Sequence, residues 1–149
     1  MLHRLLVLVH LSAAIVWLGG MFFAYFCLRP ASGAVLEPPQ RLTLWAAVLA
    51  RFLSFTAVAV LAILASGAML LSRTGLSQAP LGWHIMLSLG LVMSGVFAYV
   101  YLALYPKLRE HCTSSAWPAA AGALNSIRRL VALNLVLGIG AVAAAMSAR

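Results

Sequence analysis

Two histidines interrupt long apolar runs, His10 in LLVLVHLSAAIVW and His84 in GWHIMLSLG. An ionisable side chain within a membrane-crossing run is costly, so each is a functional candidate by default. A neutral imidazole is a metal or haem ligand, and its second nitrogen sets which tautomer binds. The competing reading is a boundary residue solvated by water or a backbone carbonyl, and Trp83 beside His84 suits that role. Methionines Met21, Met69, Met86 and Met93 offer soft thioethers of the kind that select copper(I). Scattered membrane methionine also serves as packing. His3 falls one heptad before His10 at headgroup level, and His111 lies in a charged segment, where solvation accounts for it. Cys27 and Cys112 match no zinc spacing and read as free thiols.

Helical phase gives each histidine a face. His10 shares its face with Ala14, Trp17 and Met21, bordered by Ala13, Gly20 and Ala24. His84 lies above Ser88, Leu91, Gly95 and Ala98, while Met86 is about 200° away around the helix. Small residues below an imidazole allow two uses. Helix backbones can approach closely, or a flat cofactor can be held between imidazoles from either side. The first use also permits a homodimer. Copper passage would instead use a chain of donors, with Met21 and Met86 as its thioether candidates. Asn134 reads as a helix–helix hydrogen-bonding residue. Ser54, Thr56 and Ser66 can each bond to their own helix carbonyls.

The elements that must position these groups follow from composition. With 64% hydrophobic and 8% charged residues, the chain has too little polar surface to cover a water-soluble core. Its apolar surface must face lipid, where backbone polarity is satisfied only in helices or closed barrels. At about 20 residues per span, four helices use nearly the whole length. The expectation is an all-α, up-down bundle of four transmembrane helices forming one domain over residues 1–149. The spans are expected at about 5–28, 45–71, 83–105 and 119–147. Pro30 and Pro106 are expected to end the first and third, since proline disfavours helix in the residue before it. The first run is long and holds His10 and Trp17, so it reads as a retained helix rather than a signal peptide.

Several function classes are excluded. The net charge of +8 lies mostly between spans, where it reports topology and headgroup contact, and no soluble basic domain is available for nucleic acid. Glu37 and Glu110 are the only side-chain acids and both fall in connections, which argues against carboxylate acid–base catalysis. Nothing resembles a nucleophilic triad or a phosphate loop.

Arg29, Arg41, Arg51, Lys107, Arg109, Arg128 and Arg129 gather at one end, against Arg4, Arg73 and Arg149 at the other. The positive-inside rule therefore places both termini on the periplasmic side of a bacterial inner membrane. His10 and His84 then enter from the outer leaflet on parallel helices.

The stretch HLSAAIVWLGGMFF, residues 10–23, resembles the first helix of the copper-resistance D (CopD) family: a histidine, a tryptophan seven residues on, then a glycine pair. Arg51-Phe52 and Ser66-Gly67 in the second helix and IRRLVALNLVLG, residues 127–138, in the fourth resemble it too. The related HemJ proteins, which bind haem b and oxidise protoporphyrinogen, are similar in helix order. The resemblance implies a copper-handling or haem-binding membrane protein, with His10, Trp17, Gly19 and Gly20 carried over and His84 matching the HemJ-like pattern. Both families typically offer a lysine where this chain has Met86, so the residue expected for HemJ-like oxidase activity is missing. The leading expectation is haem b, or one metal, between His10 and His84, lined by Trp17, Gly20, Ser88 and Gly95. Such a site would exchange electrons with quinone or a periplasmic partner. Copper transport and a non-catalytic subunit are the alternatives.

Overall fold

The structure, a computed structural model, describes residues 1–147. Four helices account for almost all of it: α1 (Leu2–Val35), α2 (Pro38–Thr74), α3 (Leu81–Thr113) and α4 (Trp117–Met146). Arg149, counted above in the charge balance, lies outside the described residues. The helices have 34, 37, 33 and 30 residues, and each is apolar enough to cross a bilayer. At about 1.5 Å per residue all four exceed a ~30 Å hydrocarbon core, so their ends reach the headgroup layer. Leu8, Ile15, Phe55, Leu61, Leu102 and Val136 are among the large apolar side chains left on the outside, as lipid-facing surface requires. The chain is an integral membrane protein.

The helices run past the ends that the prolines suggested. The expected stops at Pro30 and Pro106 are corrected by a shared device. A π-helical stretch at Phe23–Leu28 precedes Pro30, and another at Val100–Leu104 precedes Pro106. In an α-helix, proline loses the bond to residue i−4 and crowds that carbonyl. A π turn widens the coil and shifts its bonding register just before the ring. α1 therefore continues to Val35 and α3 to Thr113. Most of the segment expected to be the third connection is helical, and α2 starts at Pro38, where a first-turn proline has no intrahelical N–H to lose. Gly75 closes α2 with φ +83°, a conformation that suits glycine alone.

α1 packs chiefly on α2, and α3 on α4. At one end, Leu42, Trp45, Leu49, Leu53, Leu104, Leu108, Leu124 and Ile127 unite α2, α3 and α4. Trp17, Met21, Val60, Met93 and Leu135 form a second cluster to which all four helices contribute. Lipid removes most of the hydrophobic drive for helix association, leaving close packing and interhelical hydrogen bonds. Both are present. Trp45 Nε1 donates to Ser32 Oγ at 3.2 Å, joining α2 to α1, and Asn134 Nδ2 donates to the Met93 carbonyl at 3.1 Å, joining α4 to α3. Gly138 admits Leu18 and Met93 so closely that a Cβ there would lie 3.1 Å from each.

These contacts are expected to rank by stability. Gly138→Val costs about 1–3 kcal/mol through overpacking, and Asn134→Ala about 1 kcal/mol. Gly122→Val, at a position open for 4 Å, stays within about 0.5 kcal/mol of wild type. Unfolding in detergent measures all three.

Candidate functional site

His10 lies about two turns into α1, half-buried, with its ring turned onto α2. Two adjacent residues of α2 receive it. Gly67 leaves the space that the imidazole occupies, since a Cβ there would lie 3.3 Å from His10 Cε1. Ser66 is 3% exposed, and its Oγ is 3.0 Å from His10 Nδ1.

Proton counting favours one direction for that hydrogen bond. Ser66 has one hydroxyl proton, and its oxygen is within bonding distance of the Ala62 and Ile63 carbonyls of its own helix. Donating there leaves Oγ as an acceptor. His10 Nδ1–H is then the donor to Ser66, and the lone pair of the neutral ring is on Nε2. A ring oriented and fixed in tautomer through one nitrogen, with the other free, is the usual state of a metal-ligating histidine. Ser66 was expected only to bond within its helix, and its second role as acceptor from His10 was not foreseen. The antiparallel pairing of α1 and α2, which sets Ser66-Gly67 opposite His10, is the signal that could have found it.

The other expected site residues divide into interior and exterior groups. Trp17 is 3% exposed and meets Phe97 edge-on at 6.2 Å between ring centroids. Phe52 covers Gly20. Met21, 2% exposed, shares its buried cluster with Met93 of α3. Met86 is half-buried two residues beyond His84. On α3, His84 is half-buried, whereas Ser88, Leu91 and Gly95 below it are exposed. The Ser88 hydroxyl bonds to the His84 carbonyl at 2.9 Å. The strip under His84 therefore lies on the outside of the bundle, while that under His10 lies inside. The structure places the two histidines at one end but does not turn these strips towards each other.

Asn134 makes the interhelical bond expected of it. Thr56 does not bond to its own helix: its Oγ1 is buried without a partner. Cys27 and Cys112 are free thiols. Among the described residues, no group of three or more His, Cys, Asp or Glu forms a closed metal cage.

Residues 46–148, most of α2 with α3 and α4, match the family described as copper resistance protein D. The chain belongs to the CopD family. The match includes Ser66 and Gly67, the α2 side of the His10 contact, and begins after α1 itself. No curated protein and no solved structure matches the chain.

Ser66→Ala removes the hydroxyl that contacts His10 Nδ1. It is expected to weaken binding of a soft metal ion about 10–100-fold with the fold intact. Competition titration with copper(I), alongside helicity by circular dichroism, checks this outcome.

Proposed function

We propose that this CopD-family protein handles copper within the membrane as cargo, with His10 Nε2 as the entry ligand. The observation that carries the reading is the Ser66 hydroxyl, which engages Nδ1 and leaves one imidazole nitrogen available. Copper(I) suits imidazole and thioether donors and tolerates few ligands, so an open set is adequate where a closed cage is not built. Deeper in the bundle, Met21 and Met93 place two thioethers in one buried cluster beside Trp17. His10, then Met21 with Met93, forms a sequence of soft donors from the histidine end towards the centre. His84, at the same end but on the outer side of α3, serves as a capture ligand at the surface. On the orientation given by the arginines, this end faces the periplasm of a bacterial inner membrane.

Haem b between His10 and His84 is the other reading, and the side chains present do not fit it. The openings that would admit a macrocycle are filled by Phe52 over Gly20, by Phe97 against Trp17 and by His10 itself over Gly67. The Ser88 and Gly95 strip, which would line the opposite wall, faces outward.

Purified protein supplied with both copper and haem distinguishes the two. The expected result is bound copper, reduced at least tenfold in His10→Ala, with no haem signal in a reduced-minus-oxidised spectrum. A bis-histidine haem spectrum lost in His10→Ala and His84→Ala would replace the copper reading. Copper binding unaffected by His10→Ala would remove His10 as the entry ligand.

A further inference from the structure

At the end of the bundle away from the histidines, three arginines from three helices line one cavity. Arg29 of α1, Arg41 of α2 and Arg128 of α4 surround a space of about 460 Å³, together with Tyr25, Phe26 and Gly33. No carboxylate lines it. The chain has two side-chain acids to ten basic residues, so neutralisation from within the protein is scarce.

Two of the three cations stack on aromatic rings. The Arg128 guanidinium stacks 5.0 Å over the ring of buried Trp45, and Arg29 stacks 5.0 Å over Tyr25. Arg128 Nε is buried without a hydrogen-bond partner. Arg41 of α2 reaches across to Gly33 of α1, its Nη1 lying 3.8 Å from the place a Cβ would take there. Like charges brought together without a counter-charge oppose the fold unless an anion joins them, and guanidinium forks match tetrahedral oxyanions in geometry.

From this convergence we infer a binding site for a phosphate-bearing anion, held by Arg29, Arg41 and Arg128. Its surroundings favour a phosphate carried on an apolar body. Phe26, which lines the cavity, is 55% exposed, and its ring lies 4.9 Å from that of Phe22, one turn nearer the bilayer centre and also exposed. A headgroup phosphodiester in the arginine cavity would run its acyl chains down this aromatic surface. Basic cavities between transmembrane helices bind anionic lipid headgroups on this principle. A free phosphate ion shares the same chemistry at the arginines but makes no use of Phe22 and Phe26.

The test uses the full chain in nonionic detergent, with phosphatidylglycerol, phosphatidylcholine and sodium phosphate added separately. Native mass spectrometry reads lipid retention, and the thermal unfolding midpoint reads all three additions. Phosphatidylglycerol is expected to bind at least tenfold more tightly than phosphatidylcholine and to raise the midpoint. Its affinity is expected to fall at least tenfold in Arg41→Gln and in the Arg29→Gln/Arg128→Gln pair. Arg41 takes part in neither aromatic stack, so its variant isolates charge from packing. A midpoint raised by sodium phosphate, without preference between the lipids, assigns the same site to a soluble phosphate. Equal binding of the two lipids with no phosphate effect overturns the inference, as does undiminished phosphatidylglycerol affinity in Arg41→Gln. Competition of lipid by phosphate on the unaltered protein gives a reading that needs no variant to fold.

Discussion

Helices in lipid gain little from burying one apolar face against another, because the acyl chains are as apolar as leucine. Association must come from close approach and from the few polar groups that find partners on a neighbouring helix. In this chain those partners are sparse and distributed. His10 with Ser66 ties α1 to α2 near one end, and Trp45 with Ser32 ties the same pair at the other. Asn134 with the Met93 carbonyl ties α4 to α3. Between these points, Gly20, Gly67 and Gly138 each receive a side chain from a facing helix.

One of these ties has a double character. The His10–Ser66 bond is structural in that it connects two helices, and chemical in that it engages Nδ1 of the imidazole. In a soluble protein, a histidine tether could be replaced by better hydrophobic packing at little cost. Here the polar contact is itself part of what holds α1, so retaining the helix and orienting the imidazole are served by the same atoms. Gly67 belongs to the same unit, since any larger residue would compete with the ring for its place.

The four-helix architecture was legible because length, hydropathy and scarcity of charge all require it. His10 and Asn134 were legible because intramembrane polar groups must be partnered. Four other features were not. Pro30 and Pro106 act on an α-helix as stops, and nothing local in FAYFCL or VYLAL announces the π turns that allow the helix to continue. Ser66 has an acceptor within its own helix, which conceals its second partner until α1 and α2 are set side by side. Ser88 and Gly95 have the small side chains of a packing or cofactor face, but periodicity defines a face without saying whether it points in or out. The arginines near the first and third connections read as topology markers by count, and only folding brings three of them to one cavity.

The π turn at Phe23–Leu28 also changes how α1 can be inherited. It amounts to one surplus residue in the coil, rotating everything beyond it by about 100° relative to an unbroken α-helix. His10 and Trp17 are on one side of that phase break, and Arg29 and Ser32 are on the other. The two halves of a single helix therefore aim their working faces independently. Straightening FAYFCL into a regular α-helix with all its residues kept would leave the histidine half in register with α2 while swinging Ser32 away from Trp45 and Arg29 out of its cavity. The break allows the histidine end and the arginine end of α1 to vary separately, although no loop divides them.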